Sequence, residues 1–181
     1  MNKFNVVDKL GSSVIHFSNC LDDPEKIVSA LESKHWKDDN TPENKIGSIA
    51  FFSQSEIEYK QIIDAMTEAA TIFLSSTNRD IADYVPRFNY GKVVSWETKS
   101  KALPQHVDAW NEDGERITPD ITLVMYLTSD YDGGEIVFSS FNKTIKPLAG
   151  DIIALDSNTW HGTEPFLGGR RMTNLFFLFK K

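Results

Sequence analysis

The sequence predicts an α+β, mainly β fold: an antiparallel jelly roll of short strands with helices packed outside it. From Arg87 onward, short runs rich in Val, Ile, Thr and Phe are separated by Gly, Asp and Pro, which is typical of strands and turns. Before Arg87, apolar residues recur at helical spacing instead. Because the strands are short and turns divide them, a sandwich or barrel is favoured.

Two segments of the first half are predicted to be helices. Asp23-Pro24 opens an apolar pattern that continues to Leu31 and fits a short amphipathic helix. Between Ser55 and Leu74, apolar residues fall mostly on one helical stripe. Ser55 and Glu58 have the spacing of a capping box, which predicts where the second helix begins.

The chain is predicted to form a single domain over residues 1–181, because no internal repeat or low-complexity run divides it. The longest polar stretch, His35 to Lys45, is interpreted as a loop. Helices are expected to dominate residues 1–86 and to support a β core over residues 87–181.

Five strands and two turns are expected in the β half. The predicted strands are Phe88–Trp96, Ile121–Leu127, Glu135–Phe138, Ile152–Leu155 and Met172–Phe179. The predicted turns are Asp130–Gly134 and Pro147–Asp151.

Composition excludes several kinds of site. The single cysteine, Cys20, excludes an internal disulfide and a Cys-based zinc cage, so a metal here must use His and carboxylate ligands. A net charge of −7 argues against a nucleic-acid partner. No run approaches the roughly 18 to 20 apolar residues of a membrane helix, and the first residues lack a signal-peptide pattern. We therefore expect a soluble cytoplasmic protein.

The pair His106 and Asp108 is the first candidate for metal binding. Alternate residues of a strand project to the same side, so both side chains could reach one ion. His161 follows the apolar run Ile152 to Leu155, where a neighbouring strand could bring it against the pair. Two imidazoles and one carboxylate would form a facial triad with open positions, which is associated with Fe(II) oxygenases.

An isolated His-x-Asp sequence is most often surface polarity or a structural histidine. His16 and His35 have no carboxylate two residues on, and both are interpreted as structural. A metal site at His106 and Asp108 is therefore favoured only if the residues after His161 support the same chemistry.

Arg170 and Arg171 precede an apolar strand. A guanidinium that enters a barrel interior needs an anion, and a carboxylate accepts its two N–H groups together. A dicarboxylate ligand would satisfy it, and the alternative is a rim arginine paired with a surface acid.

The region from about Arg87 to Phe179 resembles the 2-oxoglutarate/Fe(II) dioxygenases, in their prolyl 4-hydroxylase-like branch. Five ordered segments carry the resemblance: His106-Val107-Asp108, Tyr126-Leu127-Thr128, Asp132-Gly133-Gly134-Glu135, Pro147-Leu148-Ala149-Gly150-Asp151, and His161 with Pro165, Gly169 and Arg171. The resemblance implies a double-stranded β-helix, a cupin-like jelly roll.

The resemblance also implies roles for residues of a co-substrate pocket. Arg171 matches the basic residue that binds the far carboxylate of 2-oxoglutarate, with Arg170 as the alternative. Thr173 shares the strand face of Arg171 and could add a hydroxyl. Tyr126 matches a tyrosine that contacts the same carboxylate, and Trp96 matches a pocket aromatic that is usually tyrosine. For both aromatics, core packing is the alternative.

The implied activity is hydroxylation of an unactivated C–H group with Fe(II), 2-oxoglutarate and O2, and with ascorbate as reductant. Proline in a peptide or protein is the leading substrate expectation. A free amino acid or other small molecule is the alternative, and a jelly-roll binding module without catalysis is another. Arg116 lies where relatives contact peptides, although a solvated loop charge is favoured there. Substrate-selecting lids are expected around Thr41–Gly47 and Thr98–Gln105.

Overall fold

The computed structural model describes residues 4–41, 44–53, 55–96 and 101–181, with the backbone alone for 38–41, 44–47, 88–92 and 96. The α-helices of these residues are α1 Pro24–Glu32 and α2 Ile57–Ser75. The strands are β1 Asn5–Leu10, β2 Val14–Ser18, β3 Lys37–Thr41, β4 Asn44–Phe51, β5 Tyr84–Trp96, β6 Trp110–Glu112, β7 Glu115–Ile117, β8 Ile121–Tyr126, β9 Tyr131–Gly133, β10 Ile136–Phe138, β11 Lys143–Ile145, β12 Ile152–Asp156, β13 Gly162–Thr163, β14 Phe166–Gly169 and β15 Arg171–Lys180.

Eight strands form the main sheet, in the order β1-β2-β12-β8-β15-β5-β4-β3. Every neighbouring pair in it is antiparallel. The smaller sheets are β11-β10-β13, β14-β9 and β6-β7. Because β2 of the first half pairs with β12 of the second, one sheet joins both halves of the chain.

Side chains alternate across the main sheet, so its two faces bury different layers. On β12, Ile152 and Ala154 pack toward the helices, whereas Ile153 and Leu155 pack on the opposite face. We call the first layer the helix-side core; its largest fully buried side chains include Phe17, Ile27, Ile62, Met66, Phe73 and Phe176. We call the second the inner core, formed by Leu10, Val14, Tyr126, Ile136, Phe138, Ile145, Ile153 and Leu155.

The five strands expected in the second half are all present, with ends shifted by a few residues. The two predicted turns contain glycines at positive φ, Gly133 and Gly134 in one and Gly150 in the other. Residues Tyr131–Gly133 within the first turn also pair with β14. The short runs rich in Val, Ile, Thr and Phe between turn residues therefore located this part of the fold.

The first helix begins as predicted, since the Asp23 carboxylate accepts a hydrogen bond from Lys26 N at 3.0 Å. The capping box predicted for the second helix is wrong. Its N-cap residue is Glu56, which makes no side-chain capping bond, and its carboxylate accepts from Ser53 N instead. Because α2 begins after Ser55, that hydroxyl lies outside the capping position.

The expectation that helices dominate residues 1–86 is wrong, because β1 to β4 also lie there. The stretch His35 to Lys45, interpreted as a loop, contains β3 and the start of β4. At the edge of a sheet, β3 is held by backbone bonds to β4 and needs no apolar pattern. None of the helices in the described ranges is both long and apolar enough to cross a membrane.

Candidate metal centre

Two backbone bonds bring the candidate histidines face to face. His106 N donates to His161 O at 2.8 Å, and His161 N donates to His106 O at 3.0 Å. This isolated antiparallel bridge lies outside the named strands. The expectation that His106 and Asp108 share a strand is therefore wrong, because a single residue pair, and not a continuous ladder, places them.

The three candidate ligands converge. The imidazole centroids of His106 and His161 lie 4.5 Å apart. Asp108 Oδ1 lies 3.9 Å from His106 Nε2 and 3.8 Å from His161 Nε2, and one ligand atom from each residue lies within 4.8 Å of the others. To make bonds of about 2.0 to 2.2 Å to a common ion, these atoms would have to draw closer together.

Hydrogen bonds of the Nδ1 atoms fix the orientation of both imidazole rings. His106 Nδ1 lies 2.9 Å from Pro104 O, and His161 Nδ1 lies 2.9 Å from Thr159 O. A carbonyl oxygen only accepts, so each Nδ1 carries the hydrogen and donates it. In the neutral rings, both Nε2 atoms then keep a lone pair on the side of Asp108, which is the form that ligates a metal.

Asp108 is held from behind by the segment that follows β12. Its backbone N donates to Ser157 O at 2.9 Å. The Ser157 hydroxyl is fully buried and hydrogen-bonds the Thr122 hydroxyl on β8 at 2.8 Å. Among the described residues, no group hydrogen-bonds the buried Oδ2 atom of Asp108. A buried carboxylate oxygen of this kind fits a cation ligand.

Burial also favours the metal-binding form of His161. Only 7% of this residue is exposed, and burial lowers the pKa of its imidazole, an effect that the neighbouring Asp108 opposes. The ring is therefore biased toward the neutral state.

Arg171 enters the interior as the sequence predicts. It is 4% exposed, and its Nη1 donates to Gly134 O at 2.6 Å. Its guanidinium lies 5.8 Å from the centroid of the Phe166 ring. Burial lowers the pKa of Arg171, while the nearby Tyr126 opposes this shift. A buried guanidinium of this kind suits a carboxylate ligand.

Arg170 points away from that interior. Its Nε donates to Ser95 Oγ and its Nη1 to Glu32 Oε1, both at 3.4 Å, and its guanidinium lies 5.6 Å from the Trp36 ring centroid. Successive residues of a strand face opposite ways, which explains the difference from Arg171.

The other predicted pocket residues differ in how they are placed. Tyr126 is 3% exposed, and burial raises the pKa of its hydroxyl, with Arg171 opposing the shift. Thr173 is half-buried and lies opposite Tyr126 in the register of β15 and β8. The backbone of Trp96 lies opposite that of Arg171, but its side chain lies outside the described residues.

Sequence reasoning missed Tyr131, which also lies close to Arg171. Its hydroxyl donates to Pro147 O at 2.7 Å, and its ring lies 6.5 Å from that of Phe166. Burial raises the pKa of Tyr131, and Arg171 is close enough to oppose that shift. The signal was an aromatic residue inside a turn of Asp and Gly, where a purely exposed loop would not need one.

His16 fits its interpretation as a structural histidine. His16 on β2 is buried, and its Nε2 lies 2.7 Å from Asp151 Oδ2, which also accepts from Leu148 N at 2.9 Å. This pair joins β2 to the turn before β12. His35 is exposed.

A groove of about 240 Å³ lies beside the metal-ligand segment. Its lining residues are Val107, Ala109, Trp110, Asn111 and Arg116. Arg116 is exposed on β7, as expected for a solvated charge. Of the two expected lids, Thr41–Gly47 and Thr98–Gln105, the first has no described side chains and the second only those of residues 101–105.

The chain is similar in sequence to several known proteins. The chain is 24% identical over 144 residues to a PKHD-type hydroxylase of Cupriavidus metallidurans, a match that covers 71% of this chain and 63% of the relative. The chain thus spans less than two thirds of the length of that relative.

Solved structures share the fold. The viral collagen prolyl hydroxylase of Paramecium bursaria Chlorella virus-1, in complex with 2-oxoglutarate, superposes with a TM-score of 0.65 at 19% identity, covering 93% of this chain and 96% of that one. HygX of Streptomyces hygroscopicus, with nickel, 2-oxoglutarate and hygromycin B bound, gives 0.59 at 14% identity, covering 93% and 83%. These likenesses confirm the predicted jelly roll.

The model of the 2OG-Fe(II) oxygenase superfamily matches residues 90–179, about half of the chain. The match spans His106, Asp108, His161 and Arg171. The chain belongs to the 2OG-Fe(II) oxygenase superfamily.

Proposed function

We propose that the protein is a 2-oxoglutarate-dependent dioxygenase that holds Fe(II) with His106, Asp108 and His161 and hydroxylates an unactivated C–H group. The observation that carries the proposal is the shared orientation of the two imidazoles: each Nδ1 is bonded to a carbonyl, and each Nε2 faces the Asp108 carboxylate. Two histidines and one carboxylate on one side of an ion leave positions open for other ligands. When bound, Fe(II) with 2-oxoglutarate supplies the oxidising chemistry.

The residues around Arg171 supply the co-substrate pocket in this proposal. Arg171 pairs with the far carboxylate of 2-oxoglutarate, and the hydroxyls of Tyr126 and Thr173 add hydrogen bonds. Trp96 remains a predicted pocket aromatic. Arg170, the sequence alternative, has its guanidinium beside Glu32 and Trp36 on the other side of the strand. Burial of Arg171 and Tyr126 excludes water, which strengthens each charge-assisted hydrogen bond there.

Neighbouring residues orient the three proposed metal ligands. The carbonyls of Pro104 and Thr159 hold the imidazole hydrogens at Nδ1, so that both rings act as neutral ligands. Ser157 orients Asp108 through its backbone, and Phe138 packs 6.2 Å from the His161 ring. This shell keeps three ligand atoms on one side of the site.

Proline in a peptide or protein is the leading substrate proposal. It rests on relatives that carry the names PKHD-type hydroxylase and collagen prolyl hydroxylase. A small-molecule substrate is the second candidate, because HygX shares the fold and binds hygromycin B. A cytoplasmic location and ascorbate as reductant stay predictions.

The first experiment is anaerobic addition of Fe(II) and 2-oxoglutarate to the purified protein, followed by visible absorption. We expect a weak charge-transfer band that Asp108→Ala and Arg171→Gln remove and that Asp113→Asn, in the exposed β6–β7 turn, retains. A protein that binds neither compound would instead be a jelly-roll binding module.

The second experiment identifies the substrate class. Oxygen is admitted with proline-containing peptides or with free amino acids, and products are measured by mass spectrometry together with succinate. A gain of one oxygen on a peptide supports the leading proposal. Succinate without peptide oxidation would retain the dioxygenase and remove the prolyl assignment.

A further inference from the structure

Thr128 lies directly opposite Arg171, just beyond the end of β8. In the register of β8 and β15, Tyr126 lies opposite Thr173, and Leu127 N donates to Met172 O at 2.9 Å. The next residue along therefore faces Arg171.

The Thr128 hydroxyl bonds to the backbone on both sides of Arg171. It donates to Arg170 O at 2.6 Å and accepts from Met172 N at 3.0 Å. A hydroxyl can do both at once, because it has one hydrogen and two lone pairs. One side chain thus fixes the peptide groups immediately before and after the pocket arginine.

The backbone of β8 does not continue far enough to supply the hydrogen bonds to Arg170 O and from Met172 N. After Thr128 the chain turns, with Tyr131 N donating to Ser129 O at 3.0 Å and Arg170 N donating to Asp130 O at 2.7 Å. Arg171 and Met172 are both buried, so their flanking peptide groups have little access to water. Loss of the hydroxyl would remove one hydrogen bond from Arg170 O and one from Met172 N, which favours a shift of the strand.

Such a shift would be amplified at the tip of the arginine. The guanidinium is several bonds from the backbone, and its other end is held by Gly134 O at 2.6 Å. A small rotation at the Arg171 Cα therefore moves the fork that a carboxylate must meet. Misplacement of a binding group by about 1 Å costs up to about a hundredfold in function.

We infer that Thr128 is a positioning residue for Arg171 and that its hydroxyl sets the affinity for the dicarboxylate co-substrate, leaving metal affinity unchanged. The inference rests on the proposed function, in which Arg171 binds the far carboxylate. It assigns Thr128 no contact with the co-substrate.

The test compares Thr128→Val, which keeps the shape and removes the hydroxyl, with Thr128→Ser, which keeps it. Thr77→Val is the matched control, because the half-buried Thr77 hydroxyl also donates to a carbonyl (Leu74 O, 2.9 Å) and accepts from an N–H (Arg79 Nε, 2.7 Å), but at the end of α2. The Kd of 2-oxoglutarate is measured anaerobically on the Fe(II)-loaded protein, and the Kd of Fe(II) is measured separately. Thermal unfolding of each variant is recorded first.

We expect Thr128→Val to raise the Kd of 2-oxoglutarate about tenfold, while Thr128→Ser and Thr77→Val stay within about twofold of the parent. The Kd of Fe(II) should not change in any of them, and in turnover the KM for 2-oxoglutarate should rise with kcat retained. If the valine variant does not fold, Thr128→Ala is measured in its place.

The outcomes separate this inference from the function on which it rests. If Arg171→Gln abolishes 2-oxoglutarate binding but Thr128→Val and Thr128→Ala bind normally, the role of Thr128 is wrong and the proposed function stands. If Arg171→Gln binds 2-oxoglutarate like the parent, the assignment of Arg171 itself fails. Equal weakening by Thr77→Val would show a general loss of stability in place of positioning.

Discussion

The helix-side core is a continuous layer of buried apolar residues, whereas the inner face of the same sheet buries ionisable side chains among its apolar ones. Phe73 and Met66 of α2 pack on the first layer. His16 on β2 and Arg171 on β15 are buried on the inner face of the sheet. The residues next to them along each strand face the helix side. The comparison indicates that one face supplies most of the stability, which allows the other to hold groups that are costly to bury.

The largest expected effect comes from deleting one aromatic ring on each face. Phe73 and Phe138 are both fully buried, so Phe73→Ala and Phe138→Ala should each lower the free energy of unfolding by about 3 to 5 kcal/mol. Only Phe138 lies beside His161, so only its loss should weaken metal binding in the folded protein. Denaturant unfolding and metal titration check both. Equal metal affinities for the two variants would contradict the division of the faces.

The next effect concerns the carboxylate ligand. Asp108→Ala should lower the affinity for Fe(II) by more than about a hundredfold, since even residues that only support ligands are worth 10- to 100-fold. Its cooperative unfolding should persist, because the helix-side core is untouched. Equilibrium dialysis and calorimetry measure the two quantities, with Asp113→Asn as control. Retained affinity would remove Asp108 from the site.

A smaller effect tests the pocket of Arg171. A Cβ on Gly134, at φ +68°, would lie 2.8 Å from Arg171 Nη1, whereas a Cβ on Gly114, at φ +86°, would meet nothing within 4 Å. Both alanine variants should lose about 1 to 2 kcal/mol of stability from the left-handed backbone. Only Gly134→Ala should also raise the Kd of 2-oxoglutarate, by about tenfold. Similar Kd values in the two variants would argue against the pocket.

The smallest effect on function concerns Cys20 on the helix side. Burial raises the pKa of its thiol to about 12, so alkylation by iodoacetamide at pH 8 should be more than about a thousandfold slower than for an unperturbed thiol. Urea should restore the rate. Because the folded pKa exceeds the unfolded value, the thiol contributes stability that is lost as pH rises from about 8.5 toward 12. Rapid labelling of the native protein, followed by mass spectrometry, would show that this layer opens.

The β half was predictable because its strands are short runs rich in Val, Ile, Leu and Phe between turn residues; burial is continuous along most of β12 and alternates along much of β15. The edge strand β3, with the sequence Lys-Asp-Asp-Asn-Thr, carries no such pattern because its pairing depends on the backbone. The short strand β2 was missed because five residues, one of them histidine, give too little periodicity.

At the site, the residue types were predictable but their support was not. Two histidines, one aspartate and one arginine at ordered positions indicated the chemistry. The bridge between His106 and His161 depends on backbone bonds 55 residues apart, which no local pattern encodes. The same holds for the bonds of Thr128 on either side of Arg171.

The carbonyl anchors of the two imidazoles have a consequence for metal exchange. Each ring is tied to the main chain two residues upstream, so the coordination geometry is inherited from the backbone and does not have to be induced by an ion. A chelator should therefore remove the cation and leave a folded protein that can bind the cation again. In this respect the protein differs from small zinc domains, whose folding depends on the metal.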